Sequence, residues 1–182
     1  MTESKDEQPL IKMLKELKRK DDRAALAALR TGVGKAPGES SRMFPFVARF
    51  LPDGISIGPR VQAVFLTASL FGMHSESANS GNLGHALRAA TTKKHGEEGV
   101  TSRLTAALDA DPEDLPHHLV GLVTLCESAG VPLNWNQFLW DVQDLLGDDE
   151  VRRNRTRLQW AKGFWGSVPK ADADITQKEN QS

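Results

Sequence analysis

Few residues in this chain have the types and spacing that chemistry needs. His117, His118 and Cys126 are the strongest metal-ligand candidates among its 182 residues. Neighbouring histidines on a helix project about 100° apart, and the trio lacks the spacing of a tetrahedral site. Cys126 falls on an apolar helix face and reads as a small core residue. The acids Asp109, Asp111, Glu113 and Asp114 cluster around Pro112. They read as a helix start, with Asp111 as cap, Pro112 at the first position and acids in the first turn. The segment GVGKAPGESSR (32–42) looks superficially like a phosphate loop. It has no Gly-Lys-Ser/Thr and no preceding strand, so it reads as a helix stop followed by a loop. Lys35 and Arg42 can still meet a phosphate from it. There is no Gly-x-Ser-x-Gly, no Cys/His pair, no dinucleotide fingerprint and no Tyr. The sequence offers no active site, and no catalytic residue, cofactor, metal or small-molecule substrate is expected.

What the sequence does carry is segregated charge. Residues 12–49 hold ten basic and four acidic side chains, and residues 106–150 hold ten acidic and no basic ones. Residues 151–165 then hold five basic side chains (Arg152, Arg153, Arg155, Arg157, Lys162) and no acidic one. Blocks of one sign suggest faces of opposite potential, hidden beneath a net charge of −1.

The elements that must position these charges read as helices throughout. Leu10, Met13, Leu14 and Leu17 repeat as an amphipathic helix from Pro9, and Asp21 or Asp22 can cap a further turn that continues to Arg30. Ser40 or Ser41 is expected to cap a helix through Phe44, Phe46, Val47, Phe50 and Leu51. Pro59 opens a helix through Val61, Val64, Phe65, Ala68 and Phe71, expected to be the most buried, with Arg60 exposed beside it. A short helix over about 82–90 packs Leu83, Ala86, Leu87 and Ala90 inward and leads into a flexible loop with Lys93, Lys94 and His95. The next helix is expected to begin near Thr101, which puts Arg103 in its first turn, a position unfavourable for the macrodipole unless an anion lies nearby.

Beyond the acidic helix start, Leu115, Leu119, Leu122, Val123 and Cys126 face inward until Gly130. Asn134 and Gln137 resemble a capping box for a helix with Phe138, Leu139, Val142, Leu145 and Leu146. Asp148 or Asp149 caps the final helix, whose inward line reads Val151, Leu158, Ala161 and Trp165. No stretch alternates with period two. The expected fold is all-α, a compact bundle of about seven or eight helices. Residues 9–166 form one domain, with disordered tails over 1–8 and 167–182. The charged amino terminus, the lone Cys126 and the absence of a ~20-residue apolar run fit a soluble protein of a reducing cytoplasm, without membrane. A helix-turn-helix over 112–146 is rejected, because its second helix carries Asp141 and Asp144 and no Lys or Arg to meet phosphate.

Several segments, in this order and spacing, resemble the CasB family, the small subunit of the type I-E CRISPR Cascade complex. They are ALRTGVGKAPGE, VFLTASLFGMH followed by NLGHALR, SRLTAALDADPEDLPHHL, GVPLNWNQFLWDV and RLQWAKGFWG. The resemblance covers Leu26 to Trp165. It implies a non-enzymatic helical subunit, present with a second copy of itself beside other Cascade subunits. CRISPR RNA and the target and displaced DNA strands are then its partners, with the R-loop held open. It implies backbone contacts from Arg30, Arg60, Arg88, Arg103, Arg152 and Arg153. Charge alone adds Lys35, Arg42, Lys93, Lys94, Arg157 and Lys162. Arg88, Arg103, Arg152 and Arg153 are expected to line one groove-like track. Relatives can carry Arg midway along the helix beginning at Pro112, where this chain has Val123 and Thr124. Such contacts need no base readout, since in these complexes sequence is chosen by base pairing. The competing expectation is a helical protein-interaction adaptor whose basic blocks face protein or solvent. A salt series of nucleic-acid binding separates the two.

Overall fold

The computed structural model describes residues 6–166; residues 1–5 of the tail expected over 1–8, and the whole of that expected over 167–182, lie outside the described residues. Among the described residues, nine α-helices and two short 3-10 turns make up an all-α fold, with one isolated bridge between Ser77 and Leu133. The helices are α1 (Pro9–Arg19), α2 (Arg23–Arg30), α3 (Phe44–Val47), α4 (Pro59–Met73), α5 (Leu83–Lys93), α6 (Glu97–Asp109), α7 (Leu115–Ser128), α8 (Trp135–Leu146) and α9 (Glu150–Trp165). None of the described helices is long and apolar enough to cross a membrane.

The most apolar helix takes the centre, as expected. From Val61 to Gly72, α4 exposes only Gln62 and Leu66 even partly, and it packs against α1, α2, α3, α7 and α8. Gly72 permits a close approach. A Cβ there would lie 2.7 Å from Arg30 N and 2.8 Å from Leu26 O, so α2 lies directly on the α4 backbone. A second layer joins α5, α6, α7 and α9. A Cβ at Gly84 of α5 would collide with the Trp160 carbonyl oxygen of α9. Small residues thus set both helix contacts.

The structure departs from the sequence reading at several boundaries, each with a local cause. Between Pro9 and Arg30 the Asp22 cap forms as expected, accepting from Ala25 N at 2.9 Å, but Asp21 takes φ 51° and so parts the stretch into two separate helices. The helix expected from Ser40 or Ser41 is broken into 3-10 turns at Ser41–Met43 and Ala48–Phe50 around the four residues of α3, which contains Pro45. Ser40 caps nothing; its hydroxyl meets Thr31 Oγ1 at 2.6 Å and closes the 31–40 loop. Helix α6 begins at Glu97, so Arg103 lies mid-helix and the first turn carries Glu97 and Glu98, the sign the macrodipole favours. Helix α7 begins at Leu115, with Pro116 rather than Pro112 in its first turn. Only half of the Asn134–Gln137 box forms: Asn134 accepts from Gln137 N, but the Gln137 amide donates to Asp141.

The largest correction concerns α9. Its buried residues are Thr156, Trp160, Gly163 and Phe164, while Val151, Leu158 and Trp165 of the expected inward line are 77%, 70% and 45% exposed. At the amino end, Glu7 and Gln8 fall in the segment expected to be a disordered tail. Glu7 pairs with Lys15, and Gln8 N donates to Asn136 Oδ1 at 2.8 Å.

Candidate nucleic-acid interface

The basic side chains singled out by sequence divide into those that hold the fold and those that point into solvent. The first group does a common job. A helix ends with unpaired carbonyls and partial negative charge, and a cation from elsewhere can satisfy both. Arg30 Nε donates to Gly72 O at the end of α4, at 3.0 Å. Arg157 Nη2 donates to Ala110 O, just past α6, at 3.1 Å. Arg153 Nη2 donates to Gly147 O, just past α8, and its own Nε is buried without a partner among the described residues. Lys94 Nζ donates to Ser128 O, the last residue of α7, at 3.1 Å.

The segment after α5 is therefore not a flexible loop. Lys93 ends α5, Lys94 and His95 are bound to the end of α7, and α6 starts directly afterwards. His95 Nε2 lies 3.1 Å from Leu125 O and 2.8 Å from Ser128 Oγ. Arg88 is half-buried and pairs at 2.9 Å with Glu97, the first residue of α6. Arg152 reaches Asp149 at 3.3 Å and Asp144 at 4.0 Å. The expected track of Arg88, Arg103, Arg152 and Arg153 thus has three members engaged with the protein itself. Arg103 is exposed and bonds to no described residue.

The second group consists of exposed cations without a hydrogen bond or ion pair to any described residue: Lys35, Arg42, Arg60, Lys93, Arg103 and Lys162. Lys35 and Arg42 share one corner, since the Thr31–Ser40 bond closes the loop between them and Met43 packs against Gly32. Arg60 is the second residue of α4, whose Phe65 meets Phe44 edge-on at 6.4 Å, so α3 and the Arg42 turn lie against that helix. Lys93 stands at the rim of an open cleft of about 230 Å³ lined by Asn82, His85, Pro132 and Asn134. No hydrogen bond or ion pair joins the Lys35–Arg42–Arg60 group to the basic residues of α5, α6 and α9 among the described residues. Three more exposed cations without a hydrogen bond or ion pair to a described residue lay outside the expected contacts, Lys12 of α1 among them. Arg49 lies 4.8 Å from the centroid of Phe50, and Arg155 sits within the basic block of α9.

Charge segregation is weaker in space than in sequence. Within the amino-terminal block, Lys18 pairs with Glu76 at 2.9 Å, and Arg19 and Lys20 both pair with Glu16. The hydrogen bond from Arg19, and then that from Lys20, lowers the Glu16 carboxyl to about 2. Asp141 of the acidic block is not on the surface at all. It is buried against Trp160. Val123 is buried and Thr124 donates to Val120 O, so α7 places no cation where relatives can carry Arg. No group of three His, Cys, Asp or Glu that could hold a metal occurs among the described residues, and Cys126 is buried.

Residues 25–165 match the family model of the CRISPR-associated protein Cse2. The chain belongs to the Cse2 family. A Cse2 protein of Thermus thermophilus is 29% identical over 144 residues, which is 79% of this chain and 80% of that protein. The crystal structure of CasB from Thermus thermophilus superposes on this Cse2-family fold with TM-score 0.70 at 25% identity, over 88% of this chain and 99% of that one. A chain of a CRISPR RNA-guided surveillance complex superposes with TM-score 0.70 at 20% identity, over 94% of this chain and 95% of that one. Cse2 and CasB thus name one fold, and the order of motifs in the sequence pointed to it.

Proposed function

We propose that this Cse2-family chain is a non-catalytic small subunit of a type I-E CRISPR surveillance complex in the cytoplasm. It holds the backbones of CRISPR RNA and of target and displaced DNA, and so stabilises the R-loop in antiviral defence. Its protein partners are the other Cascade subunits and a second copy of itself. The observation that carries the reading is the family match together with exposed cations that bond to no described residue. We assign the primary phosphate contacts to Lys35, Arg42, Arg60, Lys93 and Arg103, and leave Lys162, on the outer face of α9, outside that set. Arg30, Arg88, Lys94, Arg152, Arg153 and Arg157 contribute more through the positions they stabilise. Cations on helix ends and loops suit backbone contacts, which carry no sequence information. The lack of Tyr argues against an extended stacking platform.

Filter binding of the purified protein to duplex and single-stranded DNA across a salt series tests this. Binding is expected to be weak and indifferent to sequence. Affinity should fall with salt at a log–log slope of about −0.9 per duplex phosphate neutralised. Salt-independent binding, or strong preference for one sequence, refutes it.

A further inference from the structure

The outer face of α9 has no role in the fold and a pattern of its own. Val151, Leu158 and Trp165 are large, apolar and exposed, and they recur every seven residues along the 16-residue helix. Asn154 and Ala161 stand between them at the remaining seam positions, so the line has the a/d spacing of a coiled-coil strand over roughly 21 Å. Arg155 and Lys162 flank the line one turn beyond its apolar members. Both are exposed and bond to no described residue, whereas Arg152, Arg153 and Arg157 of the same helix are all engaged. Trp165 is held ready: its ring meets the buried Phe164 edge-on at 4.9 Å.

We infer that this face docks an amphipathic helix with acidic flanks, carried by another protein subunit. Heptad spacing selects a helix as the occupant, because only a partner of matching period keeps its own side chains against the seam. The two flanking cations select the sign of that helix, through pairing across the seam. A second α9 packed antiparallel fits poorly, since it brings Arg155 and Lys162 of its own against the same cations. A single nucleic-acid strand fits less well, because Trp165 is the one ring on this line and Val151 and Leu158 give successive bases nothing to stack on. A buried aromatic anchor between apolar neighbours is the usual core of a protein contact, with charge at its rim. The inference takes the existence of neighbouring subunits from the proposed function, and it adds the surface and the chemistry of the neighbour.

The test places a photoreactive benzoyl-phenylalanine at position 158 in the complex reconstituted from all its subunits, with Glu127 of α7 replaced likewise as a control. The expected product links position 158 to an acid-flanked helix of a different protein subunit, at least ten-fold above the control. A link to nucleic acid, a link to a second copy of this chain, or no excess over the control overturns the inference. A second arm does not require that a surveillance complex exists. The purified chain is titrated with two designed heptad peptides, identical but for Glu or Lys at the flanking positions. The Glu peptide is expected to bind at least ten-fold tighter, Leu158→Asp to abolish that binding, and R155E/K162E to reverse the preference. Equal binding of both peptides, or binding indifferent to Leu158→Asp, overturns it. If no complex assembles with the unmodified chain, the proposed function fails while the peptide arm still decides the surface.

Discussion

The indole Nε1 of Trp160 donates a 2.6 Å hydrogen bond to Oδ2 of Asp141, inside the molecule and between α9 and α8. This bond fixes the rotation of α9. With Trp160 and Phe164 turned inward, the Val151–Leu158–Trp165 line must face out. Asp141 also accepts from Gln137 Nε2 at 2.7 Å, so the carboxylate sits in a buried polar network. Trp160→Phe keeps most of the apolar contact and removes the donor. We expect it to lower stability by about 1–3 kcal/mol, the usual effect of depriving a buried acceptor of a partner. Chemical denaturation of both proteins measures this. An unchanged midpoint would mean that the bond does not hold α9 in place.

The close approach of α5 to α9 depends on Gly84, where a Cβ would strike the Trp160 carbonyl oxygen, a backbone atom that cannot swing aside. Gly84→Ala should therefore destabilise by roughly 1–3 kcal/mol despite the better helix propensity of Ala. Gly121, on the solvent side of α7 with nothing within 4 Å of its Cβ position, should gain stability from the same change. Melting curves that rank the two substitutions the other way would refute the packing account.

Cations that cap helix ends should separate from those that face solvent. Arg157→Gln and Arg153→Gln remove charged donors from the carbonyls that follow α6 and α8. Each is expected to cost about 1–2 kcal/mol, near the range of hydrogen bonds to charged groups. Arg42→Gln, Arg60→Gln and Arg103→Gln alter exposed side chains and should stay within about 0.5 kcal/mol. Equal effects in the two sets, read by denaturant midpoints, would remove the distinction on which the site assignment rests.

Burial raises the Cys126 thiol to about 12 from an ordinary value near 9. The native protein should thus keep its thiol protonated and inert to disulfide reagents at pH 8–9, reacting fully once denaturant unfolds it. The sign follows from linkage. The unfolded chain loses this proton near pH 9 and the folded chain only near pH 12, so stability is intact below pH 9 and declines as pH rises between those values. Rapid labelling of the native protein at pH 8 would contradict the buried position.

The all-α class, the central place of α4 and the residues lining α7 and α8 were legible because each shows strong apolar periodicity within one segment, whereas the described residues hold nine α-helices against an expected seven or eight. The face of α9 was not, for a physical reason. Its buried side uses Thr156 and Gly163, the latter lying against Asn82 and His85 at the start of α5, and these do not register as hydrophobic beside the exposed Val151 and Leu158. The start of α6 was obscured by Gly96 and Gly99, which read as loop although Glu97 and Glu98 already form the first turn. The roles of Arg30, Lys94, Arg153 and Arg157 were also out of reach. The carbonyl each one caps belongs to a different element, and no local pattern records a partner as distant as Arg157 and Ala110. The basic character of the chain was readable in advance; which cations remain available to a ligand is a property of the packing.

The central claim is that the unpaired exposed cations Lys35, Arg42, Arg60, Lys93 and Arg103, not those that cap helix ends, hold nucleic acid. The most direct test reconstitutes the surveillance complex with the unmodified chain or with R42E/R60E/R103E and follows dissociation of target DNA at fixed salt. Thermal stability of the triple variant should be nearly unchanged, because exposed charges contribute little to folding. Target DNA should leave roughly ten-fold faster or more, since each lost phosphate contact becomes a repulsion. CRISPR RNA loading should persist. Equal dissociation rates from two equally well-assembled complexes would contradict the account.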